Sequence, residues 1–311
     1  MSKRIRAHLF LLTTAFIWGS AFVAQRVAMD SIGPFTFTGL RMFIGGFVLI
    51  PIIIFLGNKD KDTARIETEK RTNGFIGDPT FIGGFFCGVA LFLASTFQQV
   101  GLVYTTAGKA GFITALYIII VPILGLFMKK KASKLIWLCV ILALVGVYLL
   151  CVKGDFTMNR GDLIMFLSAL SYAVHILTID HFSPKGDPVK MSSIQFFVCG
   201  TLCLPMLVAE APAVPDLLAA WFPLFYTGVI SCGVAYTLQV VAQRDTTPTI
   251  TAIILSFESV FAVLSELVIL KVFLAPKEII GCVLMFIAII MAQMPEKPKN
   301  KKIDREDDIH E

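Results

Sequence analysis

The chain has 311 residues, of which 56% are hydrophobic and only 16% are charged, and its mean hydropathy is +0.79. A soluble domain has roughly 25% charged residues, so this composition excludes an ordinary soluble protein. The net charge of +5 does not indicate nucleic-acid binding, because the charged residues cluster near the two ends and between apolar stretches. The sequence predicts an all-α integral membrane protein.

Ten apolar stretches are long enough to cross a bilayer, whose hydrocarbon core requires about 20 residues of helix. Gly, Pro and short polar turns separate these stretches. In chain order they lie near residues 7–28, 34–56, 79–103, 106–128, 134–152, 161–181, 189–209, 219–243, 248–270 and 276–294. The charged segment 295–311 is predicted to be a disordered cytoplasmic tail.

The basic residues predict how the stretches are oriented in the membrane. If the N-terminus is cytoplasmic, the basic clusters within 3–6, 59–71, 129–134 and 297–305 all lie on the cytoplasmic side. The loops on the other side hold Lys153, Arg160, Lys271 and Lys277. Cytoplasmic loops of membrane proteins carry an excess of Lys and Arg. Both termini are therefore predicted to be cytoplasmic.

The second half of the sequence repeats the first. A shift of 154 residues places Trp18 on Tyr172 and Pro34 on Pro188, and a shift of 141 places Gln98 on Gln239. The repeats are predicted to be residues 1–152 and 153–294, with five membrane segments each. An odd number of segments turns the second repeat upside down relative to the first, and such inverted repeats are typical of secondary transporters. A cleaved signal peptide at the N-terminus is disfavoured, because cleavage would remove the repeat partner of 161–181.

The first candidate side chains lie in the first two stretches. Trp18 is inside its stretch and not at its end, so an interfacial aromatic belt does not explain it. It either lines a cavity or packs in the core. Arg41 lies seven residues into the second stretch. It could bind a substrate carboxylate, pair with Glu258 or Glu266, or tie helix ends together in a structural or gating role.

Gln98, Tyr117 and Gln239 are further candidates. A buried Gln needs up to four hydrogen bonds, so Gln98 and Gln239 fit either a cavity wall or bonding between helices. Tyr117 could offer a ring for stacking or cation–π contact and a hydroxyl for hydrogen bonding. Ordinary helix packing is the alternative for Tyr117. Its repeat partner at a shift of 141 is Glu258, so the two are predicted to face one cavity at the same depth.

The sixth stretch, 161–181, is the most polar of the second half. Tyr172 and His175 are three residues apart and therefore adjoin on one helix face. His175 could relay protons, or it could be a neutral histidine bonded to a neighbouring helix. The four histidines have no metal-ligand spacing, so no metal site is predicted.

Glu258 is the strongest single candidate. It lies near the middle of the ninth stretch, where an acidic residue costs several kcal/mol to insert. Intramembrane acids usually mark ion or substrate pathways, so Glu258 is predicted to couple transport to a proton or to bind a cationic group. A protonated glutamate that only packs against a neighbouring helix is the alternative.

Four motifs resemble the EamA type of the drug/metabolite transporter superfamily. They are residues 15–22 (AFIWGSAF), 41–46 (RMFIGG), 104–112 (YTTAGKAGF) and 255–261 (LSFESVF). The last is similar to the family's Leu-Glu-Pro-Val element, with Ser259 where Pro is usual. The resemblance covers residues 7–294. It implies a carrier in a prokaryotic plasma membrane, often an exporter, with a cavity lined mainly by segments 1, 3, 4, 6, 8 and 9.

The predicted function is a secondary transporter that moves a small organic solute, such as an amino acid, a metabolite or an amphipathic cation, by alternating access. Export is the favoured direction. A facilitative uptake carrier or a channel without proton coupling is the alternative. The sequence shows no enzyme motif such as His-Glu-x-x-His or Gly-x-Ser-x-Gly, so no enzyme activity and no cofactor are predicted. The expected partners are the solute, protons, membrane lipid and a second copy in a homodimer, but no nucleic acid.

Overall fold

The computed structural model describes residues 2–59, 78–104, 107–129, 133–151, 160–270 and 275–293. Within these ranges every regular element is a helix. Ten long helices form the bundle: α1 (Lys3–Ala28), α2 (Pro34–Lys59), α3 (Pro79–Tyr104), α4 (Ala107–Ala115 and Tyr117–Phe127), α5 (Lys134–Cys151), α6 (Arg160–Phe182), α7 (Pro188–Glu210), α8 (Trp221–Ala242), α9 (Pro248–Leu255 and Glu258–Leu270) and α10 (Pro276–Gln293). A short helix, Val214–Ala219, lies between α7 and α8. The predicted disordered tail 295–311 lies outside the described residues.

The helices have the length and polarity of membrane spans. Within the described residues, eight helices are long and apolar enough to cross a bilayer: α1, α2, α3, α4, α6, α7, α8 and α9. The other two, α5 and α10, have 18 residues each and pack against each other. The predicted all-α integral membrane fold is confirmed.

Helix packing follows the symmetry of the repeat. Helix α3 packs on α6, and its counterpart α8 packs on α1; α4 packs on α6 as α9 packs on α1. The pairs α2–α7 and α5–α10 each join a helix to its own repeat partner. A bundle in which contacts recur in such related pairs is the packing expected of two inverted five-helix repeats.

Helices α4 and α9 are both interrupted, and at equivalent positions. The first half of α4 ends at Ala115 and the second begins at Tyr117. The first half of α9 ends at Leu255 and the second begins at Glu258. The shift of 141 residues that relates the repeats superimposes the two breaks. Discontinuous helices near the midplane form the binding sites of many secondary transporters.

Helix α8 differs from its repeat partner α3 in its winding. Residues Tyr226–Tyr236 of α8 form a π-helix, whereas α3 is a regular α-helix throughout. A π-helix bonds each residue to the one five positions away, and it is often found at functional sites. Equivalent residues of α8 and α3 therefore lie on different faces of their helices.

The two ends of the α2–α7 pair are capped differently. Asp187 caps its own helix α7 by accepting hydrogen bonds from the N–H groups of Val189 and Lys190. The equivalent residue before α2 is Gly33, which has no side chain. The carboxylate of Glu210, at the far end of α7, accepts from the N–H groups of Phe35 (3.1 Å) and Thr36 (2.6 Å) instead. A carboxylate from the second repeat thus caps a helix of the first.

We expect Glu210→Ala to destabilise the protein by about 1 kcal/mol, because substituting an N-capping group by Ala typically has that effect. The measurement is the midpoint of chemical unfolding of the purified protein in detergent. Asp216→Ala, an exposed carboxylate on the neighbouring helix Val214–Ala219, is the control and should leave the midpoint unchanged. Equal midpoints for the two variants would contradict a capping role for Glu210.

Candidate functional site

A small polar cavity lies at the centre of the bundle, between α1, α2, α3, α4, α6, α8 and α9. Its volume is about 30 Å³, which is room for roughly two water molecules. A cavity of this size does not hold an organic solute, so solute binding requires the cavity to widen. The residues that line the cavity are Trp18, Phe22, Gln25, Arg41, Gln98, Thr114, Tyr117, Tyr172, Ser231, Tyr236 and Glu258.

Glu258 and Tyr117 meet across the cavity at the two helix breaks. The Tyr117 hydroxyl donates to Glu258 Oε1 at 3.0 Å. Both side chains are buried, with Glu258 only 4% exposed. The structure thus places these repeat partners together, as the shift of 141 residues predicts. An acidic group held at a break in two symmetry-related helices can take up or release a proton where the two repeats meet.

Arg41 lines the same cavity from α2. It is 2% exposed, its Nη1 donates to Gln25 Oε1 at 3.2 Å, and its Cζ lies 5.3 Å from the centre of the Phe37 ring. Among the described residues no ion pair joins Arg41 to Glu258 in this conformation. The Glu266 side chain lies outside the described residues.

Trp18, Tyr172 and Gln98 form part of an aromatic and amide wall. The Tyr172 hydroxyl donates to Gln98 Oε1 at 3.1 Å and lies 3.3 Å from the hydroxyl of Tyr236. The rings of Trp18 and Tyr236 are 4.5 Å apart. Six of the eight predicted site residues therefore line one cavity.

His175 and Gln239 are not among the residues that line the cavity in this conformation, and their role in transport stays a prediction. His175 is fully buried and its Nε2 lies 2.9 Å from Gln195 Oε1 on α7. Gln239 Nε2 donates to Gln243 Oε1 at 3.0 Å, and Gln243 in turn donates to a backbone carbonyl of α6. The His175 side chain thus bonds to a neighbouring helix, whereas Gln239 bonds to Gln243 at the end of its own helix, and Gln243 makes the contact with α6.

Sequence reasoning missed Phe22, Gln25, Thr114, Ser231 and Tyr236. A periodicity signal existed for the first two, because residues 18, 22 and 25 share one face of an α-helix. Ser231 and Tyr236 are five residues apart, and an α-helical period places them on different faces. Only the π-helix brings both of them to the cavity. No pattern in the local sequence predicts that the helix changes from α to π geometry.

We expect Tyr117→Phe to destabilise the protein by about 1–3 kcal/mol, because it removes the hydrogen bond that the buried Glu258 carboxyl accepts from Tyr117 among the described residues. The measurement is the thermal unfolding temperature of the purified protein. Tyr148→Phe removes a hydroxyl from a half-exposed position on α5 and is the matched control. A Tyr117→Phe variant as stable as the control would show that this hydrogen bond has little importance.

Comparisons with known proteins agree with this architecture. The model of the EamA-like transporter family matches residues 5–152 and 159–294. An uncharacterized transporter of Archaeoglobus fulgidus is 34% identical over 298 residues, which cover 94% of this chain and 87% of that protein. The uncharacterized transporter YetK of Bacillus subtilis is 23% identical and covers 95% of this chain and 90% of its own length. A crystal structure with 18% identity superimposes with a TM-score of 0.74, over 93% of this chain and 97% of that one.

Proposed function

Because the chain belongs to the EamA-like transporter family, we propose that it is a secondary transporter that moves a small organic solute through the central cavity by alternating access. The observation that carries this proposal is the cavity itself. It lies where two symmetry-related helices are broken, and the Glu258–Tyr117 hydrogen bond joins those breaks across it. Midplane sites at broken helices of inverted repeats are characteristic of carriers.

Polar contacts join the two repeats at both ends of α7. At one end the Glu210 carboxylate holds the start of α2. At the other end the Asp187 N–H donates to Thr80 Oγ1 at 3.1 Å. Alternating access requires that contacts at one end open while those at the other persist. The two contacts lie at opposite ends of α7, one to α2 and the other to α3, so one end can open while the contact at the other end persists.

Glu258 is the proposed coupling group. Its carboxyl group can bind a proton and release it when a solute binds in the cavity, and the Tyr117 hydroxyl fixes its position.

The proposed location is the plasma membrane of a prokaryote, and the distribution of basic residues supports an orientation with both termini in the cytoplasm. Alkaline phosphatase fused to the C-terminus should then be inactive in cells; an active fusion would contradict this orientation. Export of the solute is the proposed direction.

The proposal is tested by exchange in proteoliposomes. The purified chain is reconstituted, the liposomes are loaded with an unlabelled amino acid, amine, nucleoside or vitamin, and uptake of the same labelled compound is followed. A carrier gives saturable uptake that a loaded solute accelerates, because the solute-bound carrier reorients in both directions. A channel gives linear uptake without acceleration. No accelerated exchange with any compound of the panel would overturn the carrier proposal.

A further inference from the structure

One edge of the Arg41 guanidinium has no partner. Arg41 Nη1 is bonded to Gln25, but Nε and Nη2 are buried and have no hydrogen-bond partner among the described residues. These two nitrogens lie on the same side of the planar guanidinium, where their N–H bonds point in parallel. Two parallel N–H groups are the donor pair that binds a carboxylate in bidentate fashion.

The neighbours of Arg41 in the cavity wall do not neutralise it. The other polar side chains of the wall are hydroxyls and amides, apart from Glu258 and the Trp18 indole. Glu258 accepts from Tyr117, and among the described residues no carboxylate forms an ion pair with Arg41. A buried cation without a counter-charge is costly, and unsatisfied N–H groups add to that cost. An anionic group brought in by a ligand would satisfy both requirements.

The position of Arg41 is also fixed before any ligand arrives. Gln25 on α1 accepts from Nη1, and Phe37 on the same helix as Arg41 lies beneath the guanidinium. A side chain held on two sides loses little rotamer freedom on binding, so more of the interaction energy remains for the ligand. These two contacts involve Nη1 and Cζ, so the N–H groups of Nε and Nη2 remain available to a ligand.

We propose that the transported solute carries a carboxylate, which Arg41 binds through Nε and Nη2. This inference rests on the proposed transport function and narrows it. A solute whose only charge is positive, such as an amphipathic cation, would be repelled by Arg41 and is disfavoured. A zwitterion with a carboxylate at Arg41 and an ammonium group toward Glu258 fits the two charges of the wall.

Trp18 provides a direct probe of binding, because it lines the same cavity. The chain has three tryptophans, so replacing Trp137 and Trp221 by Phe leaves Trp18 as the sole source of tryptophan fluorescence. The purified protein is titrated with matched pairs of carboxylate and amide: L-leucine and L-leucinamide, L-lactate and lactamide, and 4-methylpentanoate and its amide. We expect a saturable change of Trp18 emission with at least one carboxylate and none with its amide.

Two variants then test the role of Arg41. Arg41→Gln should weaken carboxylate binding by about thirtyfold or more, since removing one partner of a buried charge pair typically has an effect of that size. Arg41→Lys keeps the positive charge but lacks the parallel donor pair. This variant should therefore fold and bind the carboxylate, but with an affinity several times lower than that of the wild type. If Arg41→Gln does not fold, the Lys variant and the wild-type comparison of carboxylate with amide are sufficient.

Three results would overturn the inference: no saturable response to any of the carboxylates, equal responses to carboxylates and amides, or unchanged carboxylate affinity in both Arg41 variants. Accelerated exchange of a neutral solute in proteoliposomes, with no response to carboxylates, would overturn this inference alone and leave the carrier proposal standing. A carboxylate-induced change of Trp18 fluorescence without any accelerated exchange would support the carboxylate site at Arg41 and count against the carrier proposal.

Discussion

The Glu258→Gln variant is expected to lose proton-coupled transport entirely, to the level of protein-free liposomes, while the protein still folds. Glutamine has almost the same shape as glutamate, and its Oε1 can accept the hydrogen bond from the Tyr117 hydroxyl. The packing at the two helix breaks is therefore retained. Glutamine cannot take up or release a proton, so a cycle that requires this step at Glu258 stops.

The measurement is solute-induced acidification or alkalinisation of proteoliposomes that contain a trapped pH-sensitive dye. Glu278→Gln is the matched control, because Glu278 is also buried and lies in the first turn of a helix, but it is on α10 and does not line the cavity. The control should retain the proton signal. Normal pH-dependent flux in Glu258→Gln would exclude coupling through this residue. Accelerated exchange that survives in both variants without a proton signal would indicate a facilitative carrier in which Glu258 is structural.

The membrane segments could be predicted closely from sequence because their boundaries are chemical. The predicted segment 189–209 is helix Pro188–Glu210, and 134–152 is Lys134–Cys151. Proline and capping residues mark the N-terminal ends of such helices, and the end of the apolar stretch marks their C-terminal ends. The breaks in α4 and α9 could not be predicted in this way. Leu116 is an apolar residue in an apolar run, so the interruption beside it depends on the helices packed around it.

The repeat predicted the site better than any local motif did. It paired Tyr117 with Glu258 and Trp18 with Tyr172, and all four line the cavity. The same symmetry failed for Gln239, because the π-helix in α8 precedes it and changes the face on which later residues lie. Gln98, on the regular helix α3, remains in the wall. Tyr236 lines the wall from α8, in contact with the Trp18 ring. For the pair α3 and α8, the symmetry predicted from the sequence fails after the point where the two helices differ in winding.

Gly19 is the position where the smallest substitution is expected to have a large effect. It lies on α1 beside Trp18 and packs directly on the broken helix α9. A Cβ atom at this position would lie 2.5 Å from the Glu258 carbonyl oxygen, 2.5 Å from Phe261 Cβ and 2.8 Å from the Ala262 nitrogen. Backbone atoms cannot rotate away as a side chain can, so α1 and α9 must separate.

We expect Gly19→Ala to destabilise the closed bundle by about 1–3 kcal/mol, the usual range for overpacking. The strain displaces both Trp18 and the start of the helix that carries Glu258, so solute exchange should fall by about 5- to 150-fold if the whole cost falls on the solute-binding conformation. Gly111→Ala is the matched control, because nothing lies within 4 Å of a Cβ atom at that position on α4, and alanine is the better helix former. Thermal unfolding and accelerated exchange of the two variants are compared with the wild type. Gly19→Ala with the stability and flux of Gly111→Ala would mean that α1 and α9 can separate at Gly19 without cost, and close contact of these helices would then not be required for the site to form.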